Sequence, residues 1–589
     1  MTAQDGAPGD SAAGERVAIG ISFGNSNSSI AYTTGEGKAQ VIANEEGDRQ
    51  IPSIFSYIGG EEYHGSQAKS YLVRNSQNTV TNFRDFLGKD FKSIDPTPCH
   101  ASAHPQESDS TIVFPLQESD SDEGSNVSVS KITGRHLARL VASASDYLGK
   151  TVNAAVITIP TDFTQEQRDA ITSAAKGIQL EVLQLIHEPV SAILAYDARP
   201  GAGVSDKNIV VADLGGTRSD VAVIASRGGM YTILATAHDY SLGGVQLDQV
   251  LVDFFAKEFI KKHKADPRAN ARSLAKLSLE AEATKKTLSL GTTASLSVES
   301  LAEGIDFTST INRTRYDLLG SKVFSSFTQL VQSAVQKAEL DPLDISTVVC
   351  SGGTSHTPKV ARLLQSAFPP TTTVLAPSTS PTAINPSELA ARGAAIQASL
   401  IQEFDHEDIE QSTHPMVTVA PHLAHPVGVL LISSSSSDKS TAGAPFHPLL
   451  PAQTAVPARR SAQVPAPKDG GDVLVTLCEG IRQIDVTKSE PKTKSNPADG
   501  TDSDTSEDDD DESDDEEDIR SLVWKPGTVL AEAAVKAVGK GKKIEIVVSV
   551  GGDLSVVLTA REVGGKGGVR GNISPPDRRN SQTQENGSI

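Results

Sequence analysis

The sequence predicts an α/β domain over residues 16–400 followed by a smaller all-β unit over residues 427–563. Three observations carry this. Apolar strand-like runs and amphipathic helical stretches alternate from Val17 to about Leu400 without a long break, the order that builds a helix-covered sheet. From Val427 onward, period-two runs separated by Ser, Pro and Gly replace the helical pattern. The α/β part also holds one motif twice: strand, tight glycine turn, strand, at Gly20–Ser28 and again at Val210–Asp220.

Taken in order, residues 1–15 are rich in Gly, Ala, Asp and Ser and are expected to be disordered. The first motif runs into Ile30–Tyr32. Residues 98–128 read as a loop with one short strand at Thr111–Leu116. Ala154–Ile159 is a buried strand ended by Pro160, after which Thr161 or Asp162 caps a helix through Lys176. Val182–Ile186 is the next strand, and a helix from Glu188 reaches Tyr196. Pro415, Pro421 and Pro426 mark residues 401–426 as an interdomain linker. Val427–Ile432, Val473–Leu477 and Lys543–Val550 alternate as strands, and Gly551-Gly552-Asp553 turns the last into Leu554–Ala560. Residues 490–520 read as a disordered acidic insertion and 564–589 as a disordered tail.

Composition excludes several classes. Cys99, Cys350 and Cys478 are too few and scattered for a disulfide framework or zinc site, which implies a reducing, cytoplasmic setting. No 18-residue apolar run predicts a membrane span, and the polar first residues do not read as a signal peptide. Residues 501–518 hold 13 acids and no base, so removing them from the net charge of −21 leaves −8. A body that mildly acidic does not predict direct nucleic-acid binding. His406, His414, His422 and His425 lack a scaffold and cysteine partners and are not expected to ligate a metal.

The glycine turns carry chemistry as well as topology. Bare backbone N–H groups at such turns can close on phosphate. The second turn has Asp213, an acid able to hold a water on Mg²⁺; the first has Ser22 in the matching place. That asymmetry implies a grip on nucleotide with part of the hydrolytic equipment missing.

The first 400 residues resemble the actin-like ATPase domain of the DnaK-type, seventy-kilodalton heat-shock chaperones. The resemblance rests on co-linear motifs: residues 20–29, Gly65-Ser66-Gln67-Ala68-Lys69, Ile186-His187-Glu188-Pro189, Asp213-Leu214-Gly215-Gly216, the helix around Glu282–Ser289, Ser351-Gly352-Gly353-Thr354, and Asn385–Glu388 with Gly393-Ala394-Ala395. It implies a two-lobed domain that binds ATP and Mg²⁺. Gly24, Asn25 and Ser26 would wrap the phosphates with Gly215, Gly216 and Thr217, and Gly243, Gly244, Gly352 and Gly353 would complete the nucleotide-binding set. Lys69 would face the γ-phosphate, while Glu188 and Asp213 would hold Mg²⁺ through water. Glu282 and Lys285 would bracket the ribose, with Ser289 and His356 at the base.

The departures from that family set the functional expectation. Ser22 replaces an aspartate, Asn25 a threonine, Arg218 a second-loop threonine, and His356 and Ser387 an arginine and an aspartate. Lys69, Glu188 and Asp213 are retained, yet no residue is assigned as catalytic. Phosphoryl transfer depends on alignment, and losing one preorganised group costs on the order of 10²–10³ in rate. ATP binding with little or no hydrolysis is therefore expected. The linker lacks a leucine run, and only a short β-sandwich-like domain without a full helical lid follows.

Ile42–Ser53 and Asn82–Lys92 are similar to an atypical fungal branch of the family, whose members pair with a J-protein of zuotin type in a ribosome-associated complex. That resemblance implies a stable heterodimer, ribosome association mainly through the J-protein, and co-translational folding assisted by stimulating a conventional chaperone. An ATP-hydrolysing chaperone with a reduced peptide clamp and a nucleotide-exchange factor are the alternative readings.

Overall fold

The computed structural model describes residues 16–573, apart from 97–98, 100–101, 118–123, 200–204, 406, 410–422, 434–444, 468–469, 489–517 and 566–567. The expected disorder at 1–15, the core of the acidic insertion, and His406, His414 and His422 lie outside the described residues. The chain divides into two compact units, Met1–Thr418 and Val419–Ile589.

In the first unit, β1 (Ala18–Ser22), β2 (Asn27–Thr33) and β3 (Ala39–Ile42) form an antiparallel meander. After α1 (Gly65–Ser70) and α2 (Val129–Leu148), β4 (Ala154–Ile159) pairs parallel to β1. Then α3 (Gln165–Lys176), β5 (Glu181–His187) and α4 (Glu188–Asp197) follow, giving the sheet order β5-β4-β1-β2-β3. Every residue of β4 is buried, as expected of a central parallel strand covered on both faces.

A second lobe repeats the plan. β6 (Lys207–Leu214), β7 (Ser219–Arg227) and β8 (Met230–Asp239) form its meander. It continues through α5 (Gly244–His263), α6 (Ala271–Leu290), the hairpin β9 (Thr293–Ala302) and β10 (Ile305–Asn312), and α7 (Ser321–Lys337). β11 (Thr347–Ser351) then pairs parallel to β6, and β12 (Thr373–Leu375) parallel to β11. The order β8-β7-β6-β11-β12 matches the five-strand path of the first sheet, which carries the short strand Ile51–Pro52 beside β2 in addition. The repeated glycine motif is thus the visible trace of a repeated lobe. Each lobe has its own apolar core, one built around Phe23, Phe55 and Phe83, the other around Phe255, Phe307 and Phe324.

Helix α8 (Leu389–Ile401) returns from the second lobe to the first sheet. Its small residues let it lie close: Ala391 and Ala395 pack on Ala31 and Val41, while Ala394 and Ala398 pack on Ala154 and Val156. Ile409 joins the same cluster, so part of the stretch expected as linker belongs to the first unit.

Three other local expectations differ from the structure. α3 is capped by Thr164, whose hydroxyl accepts from the Gln167 N–H while the Gln167 side chain accepts from the Thr164 N–H. Asp162 is left for another use. The region 98–128 contains a three-stranded sheet rather than one strand, with Thr111–Leu116 at its centre. Within the stretch expected as tail, Gly568–Ile573 is a strand; its alternating Gly, Arg and Asn residues hide the period.

The second unit is two four-stranded antiparallel sheets. Its strands are β13 (Val427–Ser433), β14 (His447–Leu450), β15 (Ala458–Pro465), β16 (Gly471–Lys488), β17 (Asp518–Val538), β18 (Lys543–Val550), β19 (Val556–Glu562) and β20 (Gly568–Ile573). The orders are β14-β13-β16-β17 and β15-β18-β19-β20. Alternate residues of β18, namely Ile544, Ile546, Val548 and Val550, enter the core with Val473, Val475 and Leu477 of β16. Among the described residues this unit holds no helix.

β17 begins at Asp518, inside the stretch expected as insertion, and Lys488 lies opposite Asp518 in the ladder. Residues 489–517 therefore connect two paired strand ends. Replacing them with a two-residue Asn-Gly turn is expected to leave the melting temperature of the second unit unchanged within a few degrees. Loss of a cooperative transition would show that the segment contributes to folding.

Candidate nucleotide site

Two eight-residue segments face each other across the lobes. The first is bracketed by the cross-strand pair Ser22–Ser29, the second by Asp213–Asp220. This register equates Ser22 with Asp213 and Asn27 with Arg218. The tips touch: Asn25 Nδ2 donates to Thr217 Oγ1 at 3.0 Å, and a Cβ added to Gly216 would stand 2.4 Å from Ser26 Oγ. No side chain larger than glycine fits there without separating the loops. The N-terminus of α5 backs the second loop, with Gly244 N donating to the Gly215 carbonyl at 3.0 Å. Gly243 packs as closely on Gly216, since its Cβ would lie 2.5 Å from the Gly216 carbonyl.

Behind the loops lies a buried cluster of charge. Asp213, next to last in β6, lies opposite Ser351, and Glu188 opens α4. Burial raises the Glu188 carboxyl to about 8, against the attraction of Arg84, with Asp213 adding repulsion. Burial likewise raises Asp213 to about 6, with Asp220 adding repulsion. Both are hard oxygen donors short of positive charge. Thr158 Oγ1, beside Ser22 in the sheet, is buried without a hydrogen-bond partner. This donor set fits a hydrated Mg²⁺ on a phosphate group, with Glu188 and Asp213 as the residues that would hold it.

Sequence reasoning missed Arg84. Its guanidinium is buried, pairs with Asp85 at 2.7 Å and Glu188 at 3.2 Å, and donates to the Phe23 carbonyl of the first loop. The Arg84-Asp85 dipeptide was visible, but nothing in its spacing tied it to Glu188.

Other expected ligands are met in pairs. Lys69 Nζ lies 2.6 Å from Glu282, joining α1 of the first lobe to α6 of the second. Despite burial, Lys69 and Lys286 hold the Glu282 carboxyl down to about 2. Lys285 donates to Asp248 at 2.8 Å and to the Gly244 carbonyl at 2.9 Å. Burial raises the Asp248 carboxyl to about 6, against Lys285. Ser289 Oγ donates to the Lys285 carbonyl within its own helix. His356 Nε2 is 3.1 Å from Ser387 Oγ, so the two altered base-side residues meet each other. Gly353 lies beside Ser387, and a Cβ on Gly352 would stand 2.6 Å from Asp213 Oδ1.

Arg218 is engaged by two carboxylates and a ring. Its Nε donates to Asp220 at 2.7 Å, Nη2 donates to Asp162 at 2.8 Å and also to Asp220, and the guanidinium stacks 4.6 Å from the Tyr240 ring centroid.

Two duplicated lobes closing glycine turns over buried carboxylates define an actin-like ATPase fold. Residues 18–414 match the family described as Hsp70 protein, and the chain belongs to that family. It is 45% identical over 565 residues to a heat shock protein 70 homolog of Schizosaccharomyces pombe, covering 95% of this chain and 96% of the relative. It is 42% identical over 555 residues to the ribosome-associated complex subunit SSZ1 of Saccharomyces cerevisiae, covering 94% and 99%. The human heat shock 70 kDa protein 14 is 31% identical over 468 residues, covering 79% of this chain and 87% of the relative. Proteins of this family are chaperones that bind ATP with Mg²⁺.

Proposed function

We propose that this chain is an ATP-retaining, weakly or non-hydrolysing chaperone subunit that pairs stably with a J-protein of zuotin type. It reaches the ribosome mainly through that partner and assists nascent-chain folding by stimulating a conventional chaperone. The similarity to the yeast ribosome-associated complex subunit over 94% of the chain supports the partnership. One observation carries the chemistry: at matched positions of the two loops the second lobe offers Asp213, whereas the first offers only the neutral Ser22.

In this reading Gly24, Asn25, Ser26, Gly215, Gly216 and Thr217 present the backbone to phosphate. Lys69 faces the γ-phosphate, while Glu282, Lys285, Ser289 and His356 orient the rest of the nucleotide. Mg²⁺, when bound through Glu188 and Asp213, supplies charge neutralisation on the phosphates. Ser22 can orient a water but brings no charge to it. The second unit, with no helix among its described residues, gives no support to an exchange factor built on a long helical domain.

Purified protein is expected to retain ATP through gel filtration while phosphate release in multiple turnovers stays at background. Bound ATP would add about 4 kcal/mol of stability at a thousandfold excess over Kd. Steady ATP hydrolysis at rates typical of active family members would overturn this reading. With the J-protein, the full chain should co-elute as a heterodimer. If residues 1–409 bind as tightly as the full chain, the second unit has no part in the contact.

A further inference from the structure

Arg218 is buried, its side chain only 6% exposed. It lies between three groups that converge as metal ligands do. One ligand atom each from Asp162, Asp220 and His238 lie within 4.8 Å of one another. The guanidinium supplies the positive charge, bonding both carboxylates, while His238 Nδ1 lies 2.6 Å from Asp220. These groups come from different lobes. Asp162 follows β4 of the first lobe; Arg218, Asp220, His238 and Tyr240 belong to the second. Tyr240 adds a second crossing by donating its hydroxyl to Asp162 and receiving Lys89 of the first lobe 5.9 Å over its ring.

We propose that Arg218 acts as a built-in cation that latches the two lobes together beside the phosphate loops, holding them closed whether or not nucleotide is present. Charge-assisted, forked hydrogen bonds fix both distance and angle, and a planar guanidinium can bridge two carboxylates and stack on a ring at once. A point charge cannot do all three. Because its Nε and Nη2 are committed to protein carboxylates, Arg218 acts in this latch as a positioning residue. The latch rests on contacts between lobes alone, so it stands apart from whether ATP is hydrolysed.

The test is the inter-lobe distance in the nucleotide-free full chain. Spin labels go on introduced cysteines at the exposed positions Ser173 and Lys257, one in each lobe, since the three native cysteines are buried. Pulsed electron resonance should give a narrow distance distribution for the parent protein. R218A should broaden and lengthen it, free guanidinium ion should restore it, and R218K should restore it only in part. D162N and Y240F remove inter-lobe bonds while leaving Arg218 paired with Asp220, and each should shift the distribution the same way. They also serve if R218A does not fold. Unchanged distributions in D162N and Y240F, or in a folded R218A, overturn the proposal.

Discussion

Gly393→Ala is expected to lower the stability of the first unit by about 3 kcal/mol or more, although alanine is the better helix former by about 1 kcal/mol. The reason is proximity. A Cβ at Gly393 would stand 1.8 Å from the Ser191 carbonyl oxygen of α4, and one at Gly20 would stand 2.1 Å from the Ala395 nitrogen of α8. Both obstacles are backbone, so no side chain can swing aside. α8 would have to leave the sheet that it covers. All helices among the described residues lie in the first unit, and the single tryptophan, Trp524, lies in the second. Helical circular dichroism should therefore show a lowered urea midpoint while the Trp524 fluorescence transition stays in place. An equal or higher helical midpoint would disprove the packing argument.

Raising the pH across the range from about 5 to 9 is expected to weaken the nucleotide-free first unit by a few kcal/mol. Glu188 is raised from an ordinary 4.5 to about 8 and Asp213 from 3.8 to about 6, in both cases chiefly by burial. In this window the folded state holds protons that the unfolded state has released, so stability falls as pH rises through the folded values. His136 acts oppositely: burial lowers it from 6.5 to about 3, so its contribution is lost as pH falls below 6.5. Together these put the stability maximum at about pH 4. Glu188→Gln should flatten the alkaline limb of a urea-midpoint profile and leave the acid limb alone. A parent profile that is flat or rising between pH 6 and 9 would contradict the buried-carboxylate assignment.

The elements that the sequence made legible are those whose signal is local. β4 announces itself by a short apolar run ended by Pro160 and β18 by its period of two, and the duplicated glycine turns predict the duplicated meander before any contact is known. What stayed hidden is long-range. Arg218 reads in sequence only as a departure at a phosphate loop; its partner Asp162 lies 56 residues away on the other lobe. Lys69 and Glu282 are both foreseeable as nucleotide contacts, yet their mutual pairing spans 213 residues and no spacing rule joins them. Arg84 was missed for the same reason. Gly568–Ile573 shows a different failure, because glycine at two of six positions removes the side-chain pattern that marks a strand.

The return of α8 to the first sheet sets an order of events during synthesis. Arg16 donates to the carbonyls of Gln402 and Phe404, and Thr33 to that of Ala395, so the first strands are completed by residues more than 350 positions later. The second sheet, by contrast, closes within residues 207–375. At about 5–20 residues per second, the lobe that emerges first, whose elements run to Asp197, waits roughly 10–40 seconds for its covering helix. During that time Ala31, Val41, Ala154 and Val156, all buried under α8 in the finished domain, have nothing to cover them. The later half of the domain can thus complete itself before the earlier half, and the newborn chain carries an uncovered apolar face of the kind that nascent-chain chaperones bind.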